Sequence, residues 1–193
     1  MTKYPVLPII MPTKLKGFAN GLIPDTLLRP VKGGGKLESH AATAWKAMQL
    51  AAYFDGIDLS KNVGSYRSLM AQKALFTERY APLQTGRVPE VTRTLGGKTW
   101  YLKKGMAPSA SPGNSSHGWG LAVDVASASG DRLKWLLGDG FLTCNALKYG
   151  FSWQVADSKD KNFEAWHLQY FAGDKLPQAV VEAIEAFPDL DLR

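Results

Sequence analysis

The sequence has little of what disulfide-bonded or membrane-spanning proteins need. It has one cysteine among 193 residues, Cys144, so no disulfide can form within the chain and a hydrophobic core must hold the fold. No apolar stretch approaches the length that crosses a bilayer, which predicts no membrane insertion. There is no low-complexity tract, and hydrophobic residues make up 45% of the chain. This predicts one globular domain with a sizeable core.

An export signal and a nucleic-acid motif are also missing. Pro5, Pro8 and Pro12 interrupt the amino terminus, so it has no unbroken apolar stretch of the kind a signal peptide requires. The net charge is +6, which attracts polyanions. The basic residues are scattered and match no known nucleic-acid pattern, so we expect no nucleic-acid partner.

Two short segments contain residues that could bind a metal ion and catalyse a reaction. The HExxH and cysteine-pair zinc spacings are absent. His117 lies seven residues before Asp124, and His167 follows Glu164 by three. A catalytic zinc usually takes three nitrogen or oxygen ligands and leaves a fourth position open. His117, Asp124 and His167 could supply that set, and Glu164 could serve as the base.

The predicted secondary structure of the two segments affects which side chains can meet. The run 121–126 is predicted to be a strand that places Ala122, Asp124 and Ala126 on one face, with glycines ahead of it that allow a tight approach. On an ideal strand Glu164 and His167 would point to opposite faces, so a bulge, twist or turn is required there. Taken residue by residue, a pair of structural histidines and a tight Gly-Trp-Gly turn remain an alternative.

Periodicity predicts an α+β fold with a small antiparallel β-sheet and flanking helices. Residues 1–36 are predicted to form an irregular amino-terminal arm, and residues 37–193 the domain. Within the domain we expect helices at 38–54, 70–80, 131–137, 143–149 and 177–187, a hairpin at 91–102, and strands at 121–126, 153–155 and 165–170. In the second helix, Leu69, Ala74, Leu75 and Phe76 are expected to face inward.

The pattern Ser-x-His-x-x-Gly-x-Ala-x-Asp followed by Glu-x-x-His, with Trp166 before the second histidine, resembles the LAS zinc peptidases. A further family element occurs upstream in residues 65–72, so the resemblance spans roughly residues 37–172. It implies one zinc ion per chain in a surface cleft, with ligands His117, Asp124 and His167. Ala165 departs from the family, whose members often have proline there.

The resemblance also implies roles for the remaining residues of these motifs. Glu164 matches the general base and acid. Arg67 and Ser115 match positions that hold the substrate or polarise the scissile carbonyl, and Gln72 matches a position that lines the site. Trp166 is counted with the substrate-binding residues. A guanidinium suits the role given to Arg67 because its charged fork can donate to a carbonyl or a carboxylate.

The function implied is a zinc-dependent peptidoglycan peptidase with the cell-wall stem peptide as substrate and anionic wall polymers as a further partner. The missing export signal favours a phage endolysin, made in the host cytoplasm and active on the wall after release. That setting favours an L-Ala–D-Glu endopeptidase, because trimming terminal alanines alone would not break the wall. The alternatives are a D-Ala-D-Ala carboxypeptidase and a zinc-stabilised, non-catalytic wall-binding module.

Overall fold

A computed structural model describes residues 3–83, 86–126 and 129–190. Within these ranges the helices are α1 Ser39–Phe54, α2 Leu69–Arg79, α3 Gly130–Leu137, α4 Asn145–Lys148 and α5 Gln178–Ala186. The strands are β1 Leu28–Pro30, β2 Lys36–Glu38, β3 Asn62–Gly64, β4 Tyr80–Ala81, β5 Arg87–Leu95, β6 Lys98–Lys103, β7 Ala122–Val125, β8 Phe151–Trp153 and β9 His167–Tyr170. No helix in the described ranges is long and apolar enough to cross a membrane.

The strands form small antiparallel sheets, which confirms the predicted α+β class. A four-stranded sheet has the order β3-β7-β9-β8, a three-stranded sheet the order β4-β6-β5, and β1 pairs with β2. In the four-stranded sheet Asp124 of β7 is the partner of Gly64 on one side and of His167 on the other. The centre of this sheet therefore brings together segments that lie far apart in the sequence.

Helix α1 packs in the main core together with residues of the four-stranded sheet. Trp45 and Met48 are fully buried, and the Trp45 ring meets Phe151 of β8 edge-on at 5.9 Å. Burial of each such side chain contributes about 1.5–3 kcal/mol. The helix begins after Glu38, whose carboxylate accepts from the backbone N–H groups of His40 and Ala41. The prediction of a helix over 38–54 is confirmed.

Helix α2 and the hairpin form a second, smaller core. Phe76 and Tyr80 are buried and stack at 4.7 Å, and Trp100 of β6 packs against Phe76. The prediction that Ala74 faces inward is wrong, because it is exposed while Gln72 is buried. Gln72 and Phe76 are four residues apart and share one helical face, so Ala74 between them lies on the opposite face.

The predicted hairpin at 91–102 is confirmed, since β5 and β6 pair antiparallel across Gly96 and Gly97. Two strand predictions are shifted. Strand β8 begins and ends two residues earlier than expected, and β9 begins at His167 rather than at residue 165. Residues 165 and 166 form a turn instead.

The amino-terminal arm is part of the folded body. Leu15, Ile23, Leu28 and Val31 are buried in the main core. Lys14 forms an ion pair with the fully buried Glu38 at 2.7 Å, which matters because a buried carboxylate needs a charged partner. The arm therefore contributes both apolar contacts and a neutralising charge to the start of α1.

Candidate metal centre

Three side chains meet at the middle of the four-stranded sheet. One ligand atom each from His117, Asp124 and His167 lies within 4.8 Å of the others. Pairing of β7 with β9 sets Asp124 opposite His167, and Asp124 Oδ1 is 2.8 Å from His167 Nδ1. His117 comes from a short 3-10 helix, Ser116–Trp119, just before β7, and its Nε2 is 3.3 Å from Asp124 Oδ2. The three predicted ligands thus converge on one point.

The donor set fits a zinc ion. Two imidazole nitrogens and one carboxylate oxygen are a common set of three protein ligands at catalytic zinc sites. The Nδ1–H of His117 donates to the carbonyl oxygen of Ser65 at 2.8 Å, so its Nε2 carries the lone pair that a metal requires. Both histidines are buried, 5% and 4% exposed, and this buried position limits competition from bulk water.

Glycines shape the backbone around the ligands. The 3-10 helix ends at Gly120, where φ is +69° and the backbone N–H donates to the carbonyl of His117. This left-handed conformation favours glycine. At Gly64 a Cβ atom would overlap the carboxylate of Asp124. Gly64 therefore allows the backbone to approach Asp124 closely, and Gly120 allows the turn after His117 to pack on Glu38.

The carboxylate of Asp124 is ionised. Burial by itself raises its pKa, but the hydrogen bonds and charges of His117 and His167 outweigh that effect and lower the pKa well below the ordinary value of 3.8. A metal ligand must be deprotonated. Asp124 therefore meets this requirement at neutral pH.

A turn connects Glu164 to the metal centre. The backbone N–H of His167 donates to the carbonyl of Glu164 at 3.1 Å, and β9 starts only at His167. The turn required by the alternation of an ideal strand is therefore present. The side chain of Glu164 is exposed. Burial lowers the pKa of Arg67, and the negative charge of Glu164 offsets a small part of that lowering.

Arg67 lies beside the ligands. Its backbone N–H donates to the carbonyl of His117 at 3.1 Å, and its Nη1 donates to Oε1 of Gln72 at 2.9 Å. Burial lowers the pKa of Arg67, and the charges of Asp124 and Glu164 partly offset this. A guanidinium stays protonated under such a shift, so the site has a fixed positive charge.

Gln72 holds Arg67 in place. The residue is 2% exposed, and its Nε2 donates to the carbonyl of Ala110 at 2.6 Å. The amide of Gln72 therefore connects Ala110, in the loop before His117, to the guanidinium of Arg67. The predicted role of Gln72 in lining the site stays a prediction, and the structure adds its hydrogen bond to Arg67.

Ser115 and Trp166 lie next to the ligands in sequence and form backbone hydrogen bonds there. The buried Ser115 accepts at its carbonyl from Asn20 Nδ2 at 2.7 Å and from the N–H of Gly118 at 2.9 Å. The carbonyl of Trp166 accepts from the N–H of Val125 at 2.8 Å, while its side chain is 45% exposed. The predicted substrate contacts of these two side chains stay predictions.

Several supporting residues were missed by sequence reasoning. Ser65 acts through a backbone carbonyl, which leaves no trace in side-chain patterns. Asn20 lies 95 residues from its partner Ser115, and no local pattern connects them. Gln169 lies two residues after His167 in β9, so strand alternation could have placed it on the face of that ligand.

A cleft of about 330 Å³ opens beside these residues. It is lined by Gly33–Gly35 on one side and Gly64–Arg67 on the other. Two of the lining residues contact metal ligands, since Gly64 packs on Asp124 and Ser65 holds His117. The cleft is therefore separated from the ligand side chains by one layer of residues, and Arg67 lines it directly.

Comparison with known proteins gives a family and a fold. The family profile described as VanY, D-alanyl-D-alanine carboxypeptidase, matches residues 34–173. The "Putative carboxypeptidase YodJ" of Bacillus subtilis (strain 168) is 33% identical over 143 residues, which cover 69% of this chain and 46% of that protein. The chain thus spans about half the length of this curated relative.

One solved structure shows the same fold at low identity, and a second is also similar. The structure of VanYB in complex with D-alanine-D-alanine has a TM-score of 0.52 and 18% identity, covering 94% of this chain and 91% of that one. A vancomycin resistance D,D-pentapeptidase VanY variant in complex with Zn(II) has a TM-score of 0.49 and 19% identity, covering 88% and 90%.

Proposed function

Because this chain belongs to the VanY family of D-alanyl-D-alanine carboxypeptidases, we propose that it removes the terminal D-alanine from peptidoglycan stem peptides. The convergence of His117, Asp124 and His167 carries the proposal, since all three lie inside the family-matching region 34–173. Glu164 and Arg67 lie in the same region of the sequence, and the backbone N–H of Arg67 donates to the carbonyl of His117.

Zinc is the metal that we assign to this centre. His117 would bind through Nε2, His167 through Nδ1, and Asp124 through a carboxylate oxygen, because these are the atoms that face one another. When bound, zinc supplies Lewis-acid polarisation of a carbonyl and of water.

Glu164 is the proton carrier in the proposed reaction. Its exposed carboxylate takes a proton from the attacking water as the oxygen of that water bonds to the scissile carbonyl carbon. The same proton then passes to the nitrogen of the departing D-alanine when the C–N bond breaks. The products are free D-alanine and a stem peptide that is one residue shorter.

Arg67 stabilises the negative charge that develops. Its guanidinium is held by Gln72 before substrate arrives, so little reorganisation is needed when the carbonyl oxygen gains charge. A positive charge next to the cleft also attracts a substrate that ends in a carboxylate. Both effects favour a substrate with a free carboxyl terminus.

The test is digestion of purified peptidoglycan and of a synthetic stem pentapeptide by the zinc-loaded protein, followed by mass spectrometry. The Glu164→Gln variant is the matched inactive form, and Glu185→Gln, an exposed glutamate of α5, is the control. We expect loss of one D-alanine with the wild type and the control. Removal of a general base typically costs about 10²- to 10⁴-fold in rate. Equal cleavage by Glu164→Gln would contradict the role given to Glu164.

The endopeptidase alternative gives a different product. New ends between L-alanine and D-glutamate would establish it, and lysis of intact cell walls would separately test the lytic role expected of a phage enzyme. It rests on the sequence pattern and the expected biological setting, whereas the family match favours the carboxypeptidase. No cleavage of any substrate by the zinc-loaded protein would instead favour a non-catalytic wall-binding module.

Anionic wall polymers are the second partner that we propose. The net charge of +6 would attract the phosphates of teichoic acids, and salt would screen that attraction. Binding to walls stripped of these polymers should then be weaker at low salt than binding to intact walls. Equal binding to both would remove this partner.

A further inference from the structure

The imidazole of His167 has a second nitrogen that the proposed reaction does not use. Its Nδ1 faces Asp124, while its Nε2 is 3.0 Å from Ser116 Oγ and 3.1 Å from the side-chain nitrogen of Gln169. His167 is 4% exposed, so bulk water has little access to Nε2. The two protein neighbours therefore determine the hydrogen bonding of this nitrogen.

At the other ligand histidine, one neighbour fixes the proton. His117 Nδ1 lies 2.8 Å from the carbonyl oxygen of Ser65, and a carbonyl oxygen can only accept. The proton therefore sits on Nδ1, and Nε2 faces the metal position with its lone pair. This arrangement has a single tautomer.

At His167 both neighbours of Nε2, the Ser116 hydroxyl and the Gln169 amide, can either donate or accept a hydrogen bond. A hydroxyl gives or accepts a hydrogen bond, and an amide presents NH₂ on one side and oxygen on the other. When Nδ1 serves as a metal ligand, the proton sits on Nε2 and its neighbours must accept. Gln169 presents its nitrogen here, which suits the opposite tautomer, with Nδ1–H donating to Asp124. A half turn of the amide would present the oxygen instead.

A third residue is linked to this amide. Nε2 of Gln169 donates to Oε1 of Gln154 at 3.2 Å. After a half turn of Gln169 two oxygens would face each other, so Gln154 must also turn and donate its NH₂. Gln154 is exposed just after β8, where solvent can replace the hydrogen bonds that it loses. The two amides can therefore turn together.

We propose that Gln169 is a positioning residue of the metal centre. In the metal-loaded protein its amide oxygen accepts from His167 Nε2–H, Ser116 Oγ shares this one hydrogen as a second acceptor, and the NH₂ of Gln154 donates to the amide oxygen of Gln169. Hydrogen bonds of this kind fix the tautomer of a ligand histidine and raise its basicity. The inference rests on the metal site of the proposed function and is independent of the substrate.

Zinc affinity tests the inference without reference to catalysis. The dissociation constant is measured by competition with a chromophoric chelator for wild type, Gln169→Leu, Gln169→Glu and the control Gln178→Leu. Gln178 is exposed on α5 and bonds Glu182. We expect Gln169→Leu to weaken zinc binding by roughly 10- to 100-fold. Gln169→Glu, whose carboxylate only accepts, should bind zinc as tightly as wild type or more tightly, and the control should be unchanged.

Cobalt absorption gives a second readout. A Co²⁺ ion in the site should show an altered visible spectrum in Gln169→Leu, because His167 is no longer held in one orientation, and the wild-type spectrum in Gln178→Leu. A purely structural role would lower the thermal midpoint of the metal-free protein and leave the spectrum of the bound ion unchanged.

Two outcomes overturn the inference. The first is zinc binding by Gln169→Leu within twofold of wild type. The second is Gln169→Glu binding as weakly as Gln169→Leu, which would mean that the NH₂ group of the amide matters rather than its acceptor oxygen, because glutamate keeps the shape of glutamine. Should Gln169→Leu not fold, the affinity of Gln169→Glu decides alone. Failure of the proposed function would appear as absent cleavage with these affinities as expected, so the two failures are distinguishable.

Discussion

At the scale of single residues, the functional side chains are held by partners that carry no chemistry themselves. Arg67 shows this best. Its guanidinium is fixed by Gln72, which in turn is anchored to the carbonyl of Ala110. Because the positions of these donors are set in the folded protein, the charge of Arg67 is available without reorganisation.

Replacing Gln72 by leucine should separate catalysis from metal binding. Loss of the acceptor frees the guanidinium of Arg67, so we expect kcat/KM to fall about 10- to 100-fold, which corresponds to about 1.4–2.7 kcal/mol of transition-state stabilisation. Zinc affinity should stay at the wild-type value, because Gln72 contacts none of the three ligands. Steady-state kinetics on a stem pentapeptide and zinc titration measure the two effects.

The exposed Gln178→Leu variant is the control for that substitution. A parallel loss of zinc affinity in Gln72→Leu would mean that the change spreads to the metal centre, and unchanged kinetics would remove Gln72 from the support of Arg67. Thermal melting of the metal-free variant identifies a folding defect.

At the scale of elements, strand pairing sets the metal geometry. Asp124 of β7 is flanked by Gly64 of β3 and His167 of β9. The pairing with β9 places the candidate ligand His167 next to Asp124, and the pairing with β3 places Gly64, which has no side chain, on the other side. The carboxylate of Asp124 therefore fits between its neighbours only because position 64 is glycine.

Gly64→Ala should weaken zinc binding. The added methyl group would overlap the carboxylate of Asp124, and displacing a ligand oxygen should cost roughly tenfold or more in zinc affinity, as for other residues that orient ligands. Calorimetric titration with zinc measures the change. Gly140→Ala is the matched control, because a Cβ there meets no atom within 4 Å. Equal affinities in the two variants would contradict this account.

The amino-terminal arm supports the turn that carries His117. Asn20 is 8% exposed and donates to the carbonyl of Ser115, and the N–H of Gly21 donates to the carbonyl of Gly118 at 2.8 Å. A Cβ on Gly118 would overlap the Asn20 side chain. Thus a segment ahead of the family-matching region fixes the backbone on both sides of a metal ligand.

Asn20→Ala should lower both stability and zinc affinity. Removing the donor to a buried carbonyl costs about 1–3 kcal/mol, and the turn that holds His117 loses one of its supports. Denaturant unfolding of the metal-free protein gives the free energy of unfolding, and zinc titration gives the affinity. Asn114→Ala is the control. Asn114 is exposed and immediately precedes Ser115, so its replacement should be nearly neutral. Matching values for the two variants would show that the arm does not support the site.

At the scale of the whole molecule, the metal centre connects distant parts of the chain. Its candidate ligands come from the 3-10 helix before β7, from β7 and from β9. Gln72, which bonds Arg67, belongs to α2, and α2 packs on the second, smaller core. A ligand that binds the folded state and not the unfolded chain stabilises the whole fold. The proposed zinc ion should therefore raise the thermal midpoint of the entire domain.

Free zinc at 100 times its dissociation constant should stabilise the protein by about 2.7 kcal/mol. For a chain of this size that corresponds to a rise of roughly 5–10 °C in the thermal midpoint. Differential scanning calorimetry with zinc and with a chelator measures it. In His117→Ala the rise should largely disappear. A rise of the same size in that variant would place the stabilising zinc elsewhere.

Much of the site was predictable because its signals are local in sequence. The helix α1 follows from apolar residues at helical spacing, and the hairpin follows from Gly96-Gly97 between two β-rich runs. The candidate metal ligands were predicted because the segments 115–124 and 164–167 resemble family motifs, and their ligand atoms lie close together in the structure. Ala74 was misplaced because the buried polar Gln72 marks the inner face of α2, and a hydrophobicity pattern cannot register a buried amide.

The candidate site residues could be read from the amino-acid sequence: two histidines and an aspartate in family order, a glutamate near the second histidine, and an arginine upstream. Each of those residues is recognisable from its own short segment. How their side chains are held could be seen only in the folded protein. The pairing of Gly64 with Asp124, the reach of Asn20 to Ser115, and the contact of Gln169 with His167 depend on long-range packing and on the orientation of side chains. Backbone carbonyls and glycines contribute through their positions relative to other residues, and these positions are set only when the strands pair.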